Sequence, residues 1–209
     1  MDAVVLRTFA HETTEEFARY SAVPVINGLS ELSHPCQGLA DIFTIRERKG
    51  DLRQVTAAYV GDGNNVAHSL MLAAAKTGMT LRVASPAGFE PLERYRALAD
   101  AAARQTGATI VYGTDPRAAV AGADVVYTDV WTSMGQEQEY ERRRRAFAGF
   151  QVNQELLACA SPDAIVLHDL PAHRGEEITD EVIDGPQSAV FDQAENRMHV
   201  EKAVLRWLV

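Results

Sequence analysis

Two cysteines in 209 residues, Cys36 and Cys159, are too few for a disulfide framework. Neither belongs to a CxxC pair or a Cys/His cluster with zinc spacing, so no metal site is expected. The expected setting is reduced and cytoplasmic. Long apolar runs are also missing. The longest, Leu70 to Ala75, falls far short of the ~20 residues that a membrane span needs. The first residues, Met1-Asp-Ala-Val-Val-Leu-Arg7, carry an acid at position 2 and too short an apolar stretch for a signal peptide. A soluble protein is expected. Positive charge is scarce as well: 20 Lys and Arg against 29 Asp and Glu leave a formal net charge of −9. Nucleic acid and anionic membranes need a basic face, so neither is an expected partner. A small anion held in a locally positive pocket stays compatible with that balance.

Short apolar runs alternate with helical patterns, which predicts an α/β protein with a parallel sheet. Strands are expected at Ala3–Leu6, Val23–Ile26, Val55–Val60, Thr80–Ala84, Thr109–Tyr112, Val125–Thr128 and Ala164–Leu167. Helices are expected at Thr13–Tyr20 (capped by Thr13 or Thr14), Leu39–Lys49, Asn65–Lys76, Pro91–Gln105, Pro116–Ala121 and Ala194–Leu208. Asn27-Gly28 reads as the end of the second strand, and Gly50-Asp51 as a domain boundary. The charged run Glu137–Arg145 has no convincing apolar face. It reads either as a solvated exposed helix or, beside Gly135, as a lid over a site.

Gly61-Asp-Gly-Asn-Asn65 lies between a strand and a helix, where backbone N–H groups and the helix dipole favour an anion. A dinucleotide fingerprint would need glycine at 66, where Val66 stands, and an acid near the end of the next strand, where Ala84-Ser-Pro86 stands. NAD is therefore not expected. At the carboxyl edge of a parallel sheet, Asp129-Val-Trp-Thr-Ser-Met-Gly135 gathers a carboxylate, a hydroxyl and a glycine, the edge where open α/β folds bind ligands. His34-Pro-Cys-Gln37 offers an imidazole that can stabilise a developing oxyanion and an amide three residues on. Taken alone, Asn65 reads as a helix cap and the His34-Pro35 pair as structural.

Taken in order, these three segments and Glu195-Asn-Arg197 resemble the ornithine carbamoyltransferases across nearly the whole chain. The resemblance implies a parallel-sheet three-layer ornithine-binding domain at 51–188. It also implies a partial carbamoyl-phosphate-binding α/β domain at 1–50, with a C-terminal helix at 189–209 returning to it. It implies carbamoyl transfer from carbamoyl phosphate to the δ-amine of L-ornithine, in arginine metabolism, with no cofactor. Arg7, His34, Gln37 and Arg197 would hold carbamoyl phosphate, with His34, Arg7 and Arg197 stabilising the oxyanion. Asn65, Asp129, Ser133, Met134, Asp169 and Leu170 would meet ornithine. Family members form trimers, so a homotrimer is the expected partner state.

Two departures qualify the resemblance. The family's His-Cys-Leu-Pro reads His168-Asp-Leu-Pro171, with Asp169 beside a reacting amine that must be neutral to attack. Asp169 could accept the amine's proton or shift the preferred amine, toward putrescine or a modified ornithine. His173, Arg174, Glu176 and Glu177 after it read as a solvated loop. The family's phosphate clamp, Ser-Thr-Arg-Thr-Arg, occurs nowhere in the sequence. A truncated chain with impaired activity is expected, or else a catalytically inactive binding or assembly module.

Overall fold

The structure, a computed structural model, describes residues 2–133, 135 and 137–209. The chain runs β1 (Val4–Arg7), α1 (His11–Tyr20), β2 (Val25–Leu29), α2 (Pro35–Lys49), β3 (Thr56–Val60), α3 (Asn65–Thr77), β4 (Thr80–Ala84), α4 (Glu93–Thr106) and β5 (Thr109–Gly113). It continues through α5 (Pro116–Val120), β6 (Val125–Thr128), α6 (Tyr140–Ala146), α7 (Gln154–Leu157), β7 (Ile165–His168), α8 (Asp180–Ile183) and α9 (Val190–Leu208). Strands β1 and β2 pair in parallel as a small sheet, and the other five form a parallel sheet in the order β5-β4-β3-β6-β7. Among the described residues no helix is long and apolar enough to cross a membrane.

The larger sheet is the middle of three layers. In β3, Ala57 and Tyr59 face one core with Ile45, Leu70 and Met71 from α2 and α3, while Ala58 and Val60 face a second core with Phe147, Leu156 and Val182. Strand β6 divides in the same way, Val125 and Tyr127 against Val126, as the two-residue period of a strand requires. Because both faces are covered, the strands read as continuous apolar runs in the sequence. Leu70 and Met71 are fully buried, which stabilises the fold by about 1.5–3 kcal/mol each.

Strand β3 is the topological switch point. Its successors β4 and β5 lie on one side and β6 and β7 on the other, so a crevice opens at the carboxyl ends of β3 and β6. Helix α9 packs along α2: Asn196 Nδ2 donates to Thr44 Oγ1 at 3.0 Å and to Glu47 Oε2 at 2.7 Å, and Arg48 pairs with Asp192.

Several sequence expectations need correction. Helix α1 begins at His11 with no side-chain cap, and Thr14 is buried within it. Asn27-Gly28 does not end β2, which runs to Leu29 because β1 supplies its hydrogen-bonding partner. Helix α2 starts at Pro35, four residues earlier than its apolar pattern suggests, since Pro fits the first helical position. The charged run, expected to be mostly solvated or a lid, buries Arg143.

Candidate active site

The loops after β3, β6 and β7 meet the segment 29–34 around a cleft of about 500 Å³. Each loop is held by its own chemistry. After β3, Asn64 caps α3, its Oδ1 accepting from the backbone of Val66 and Ala67, and Tyr59 Oη donates to the Asp62 carbonyl at 3.0 Å. Gly63 is required sterically: a Cβ there would lie 2.1 Å from the backbone nitrogen of Pro91, because segment 88–91 crosses over it. Arg143 Nη1 donates to Asp62 Oδ2 at 2.7 Å and to the Trp131 carbonyl at 2.9 Å, tying the charged segment to the β3 and β6 loops. Burial pushes the Asp62 carboxyl up to about 6, although Arg143 pulls the other way.

His34 precedes α2 and is 2% exposed. Its backbone N–H donates to Ser69 Oγ at 2.7 Å, and the Ser69 hydroxyl donates to the Asn65 carbonyl at 2.9 Å. Its ring Nδ1 is buried with no partner in the described structure. Burial, then the nearby charges of Arg197 and Arg7, lower the imidazole to about 3, against the opposing pull of the Gly28 carbonyl. His34 is therefore neutral at physiological pH.

Behind it, buried Gln37 gives its Nε2 to Asp41 Oδ1 at 2.8 Å, which leaves its Oε1 buried without a partner. The same Asp41 oxygen accepts from Gln193 at 2.6 Å and from Tyr127 Oη at 3.3 Å, so α2, α9 and β6 converge on one carboxyl group. Burial pushes Asp41 up to about 7 despite those three donors. Arg197 on α9 donates to Glu201 at 3.1 Å, and its Nε is buried and unpartnered.

Across the cleft, Asp129 accepts from Asn64 Nδ2 at 2.6 Å and from the Val130 N–H at 2.7 Å. Asp169 lies against it, held well above the usual carboxylate range by burial and then by the Asp129 charge. His168 is fully buried: Nδ1 accepts from the Leu170 N–H at 2.9 Å, which leaves Nε2 to donate to Glu177 Oε1 at 3.0 Å. Leu170 has φ 57°, a left-handed conformation costly for a leucine, and such strain collects at functional sites.

Of the residues singled out in the sequence, Arg7, His34, Asn65, Asp129, Ser133, Asp169 and Leu170 line the cleft. Gln37 and Arg197 are not among the residues that line it, and Met134 lies outside the described residues. One Asn65 N–H donor is already taken by the Ser30 carbonyl at 2.8 Å. Sequence reasoning missed Asp62, Asn64, His68, Arg143 and the His168–Glu177 pair. Glu177 is not solvated but fully buried, accepting also from the His173 N–H at 2.6 Å. The one available signal was Asn64, which stands beside Asn65 at a helix start and is the better cap.

The profile of the aspartate/ornithine carbamoyltransferase Asp/Orn-binding domain matches residues 53–208, and that of the carbamoyl-P-binding domain matches residues 1–47. The chain belongs to the aspartate/ornithine carbamoyltransferase family. It is 60% identical over 207 residues to an ornithine carbamoyltransferase of Acidothermus cellulolyticus, covering 99% of this chain and 66% of that protein. The solved ornithine carbamoyltransferase of Pyrococcus furiosus superposes with a TM-score of 0.96 at 55% identity, covering 100% of this chain and 66% of that one. The ornithine transcarbamoylase structure of Giardia lamblia matches with a TM-score of 0.93 at 34% identity, covering 100% and 70%. The chain thus spans about two thirds of the length of the curated relatives it matches. Within this carbamoyltransferase framework the cleft falls between the two matched domains: Arg7 and His34 come from the first, Asp129 and Asp169 from the second.

Proposed function

We propose that this chain carries the site for carbamoyl transfer from carbamoyl phosphate to the δ-amine of L-ornithine, giving citrulline and phosphate within arginine biosynthesis. The observation that carries this reading is the pairing, across one cleft, of a neutral His34 with an unpartnered ring Nδ1, near Arg7 and Arg197, with a buried, hydrogen-bonded Asp129.

His34 donates to the carbamoyl oxygen, where charge grows as the neutral amine attacks, and Arg7 and Arg197 add positive potential. Gln37, its Nε2 held by Asp41, turns its carbonyl oxygen toward the carbamoyl nitrogen. Asp129 takes the α-ammonium, with Asn65, Ser133 and Met134 on the polar head of the amino acid and Asp169 and Leu170 beside its side chain. The amine adds to the carbamoyl carbon to form a tetrahedral intermediate, the C–O bond to phosphate then breaks, and the proton the amine loses leaves with the departing phosphate.

Residues 1–50 serve as part of the carbamoyl-phosphate domain and 51–188 as the ornithine domain, while 189–209 return to the first. A cytoplasmic homotrimer is the assembly proposed. Lacking a Ser-Thr-Arg-Thr-Arg segment, these 209 residues should hold carbamoyl phosphate weakly. Asp169 beside Asp129 supports a second reading, in which putrescine or a modified ornithine is the preferred amine.

Calorimetric titration with L-ornithine and with putrescine, each with and without carbamoyl phosphate, tests both readings. Ornithine binding at least tenfold tighter than putrescine is expected. Preference for putrescine would favour the second reading, and binding of neither amine would overturn both.

A further inference from the structure

Asp129 and Asp169 bring two carboxyl groups together on one wall of the cleft, where their oxygens and a ring nitrogen of His168 lie within 4.8 Å of one another. Both oxygens of Asp129 already accept, from Asn64 Nδ2 and from the Val130 N–H. Asp169 Oδ1 is buried without a hydrogen-bond partner, and its side chain is 12% exposed. Among the described residues, no lysine or arginine forms an ion pair with either acid.

The groups facing the pair bring no positive charge. His168 Nδ1 comes within 3.7 Å of Asp169 Oδ1, but that nitrogen accepts from the Leu170 N–H and so carries no proton. The imidazole proton sits on Nε2, directed at Glu177. Asp41 adds a further acid, and Tyr59 and Tyr127 are buried neutral phenols. Asp62, on the Asp129 side, is already joined to Arg143. Two like charges this close, desolvated and with no cation between them, cannot both persist. One proton shared between them removes the conflict.

We propose that, before an amine binds, Asp169 stands as a neutral carboxylic acid donating its O–H to Asp129, and that a primary ammonium reaching the pair displaces that proton to solvent. The Asp169 O–H bond breaks, the proton goes to buffer, and the ammonium N–H groups take its place between two carboxylates. The site therefore exchanges one cation for another and keeps its net charge. Asp169 is the residue that decides this, because Asp129 has its own fixed donors. The ligand half deepens the amino-acid reading of the cleft and rests on it. The shared proton does not.

Infrared difference spectroscopy at pH 7, wild type minus Asp169→Asn, tests the proton without any ligand. A positive carboxylic-acid C=O band in the difference is expected, since the protonated fractions of Asp41 and Asp62 are common to both proteins and cancel. A difference spectrum without that band would overturn the proposal. Should Asp169→Asn fail to fold, Asp169→Cys gives the same comparison.

Calorimetry in buffers of different ionisation enthalpy tests the exchange, using L-ornithine and L-norvaline. Norvaline has the ornithine skeleton without the δ-amine, so it cannot supply the proton that a δ-ammonium loses on becoming neutral. About one proton released per norvaline in the wild type and none in the variants, and about one more per ornithine in the wild type than in the variants, is expected. Binding with heats that ignore the buffer would overturn the exchange. If neither amino acid binds, the amino-acid reading fails and the exchange with it, while the infrared band still decides the state of Asp169.

Discussion

Arg143 and Asp62 form an ion pair of 2.7 Å with both side chains only 7% exposed, although 81 residues separate them in the chain. Through it the charged segment following the Asp129 loop is anchored to the loop that opens α3. Removing one partner strands the other: Arg143→Met leaves a buried carboxylate and an unpaired Trp131 carbonyl. A loss of about 3–5 kcal/mol is expected. Urea unfolding of Arg143→Met, Asp62→Asn and the double variant checks this. The double variant should lose less than the sum of the singles, since it no longer buries a lone charge. Strict additivity would show that the pair does not act as a unit.

Asp41 makes the fold weaker as pH rises. Its carboxyl is raised from 3.8 to about 7, so the folded state binds a proton that the unfolded chain has already lost. The resulting cost is absent below pH 4, grows through the window from 4 to 7, and is complete above it, on the order of 4 kcal/mol. His34 and His68 have the opposite sign: lowered to about 3 and about 4, they add no pH-dependent cost above pH 6.5 and destabilise the fold increasingly as pH falls toward those values. Asp41→Asn isolates the carboxyl. Relative to wild type, the variant should gain stability steadily from pH 4 to pH 7 and hold the gain above. A difference that is flat with pH would mean that Asp41 is ionised throughout.

Gly63 fixes how closely segment 88–91 can approach the cleft. Gly63→Ala would set a methyl group into the Pro91 backbone, which cannot rotate away as a side chain could. A loss of about 1–3 kcal/mol is expected from such overpacking. Because Asp62 and Asn64 flank the position, ornithine affinity should fall as well. Thermal unfolding and titration of the same variant measure both effects, and an unchanged affinity would show that the 61–64 loop is not part of the amine site.

What could be read from the sequence follows a physical division. Strands β3 and β6 were legible because residues buried on both faces leave an unbroken apolar run. Asp129 and His34 were legible because their neighbours make recurring motifs. The start of α2 was not, because Gly38 within it resembles a helix breaker. A Cβ there would lie 3.1 Å from the Ser69 carbonyl, so the glycine serves the crossing of α2 over α3 rather than a turn. Glu177 and Arg143 look like any solvated charges in a polar run. Only the partners His168 and Asp62, brought in by the fold, make their burial tolerable. Periodicity reports which face of an element is apolar, and it carries no record of a charge paired across 81 positions.

His34 and Gln37 each keep a buried polar atom, Nδ1 and Oε1, that nothing in the described structure satisfies. An unmet buried hydrogen-bonding group costs about 1–3 kcal/mol. Replacing the imidazole with an apolar side chain of similar reach should remove it. His34→Leu keeps the backbone N–H that bonds to Ser69, so the α2 start should survive. A higher melting temperature is therefore expected, together with loss of any effect of carbamoyl phosphate on ornithine binding, the pattern of a site strained for function. Differential scanning calorimetry beside the ligand titration decides the point. A variant that is less stable than wild type would make His34 a structural residue, and one that still couples the two ligands would remove it from the carbamoyl site.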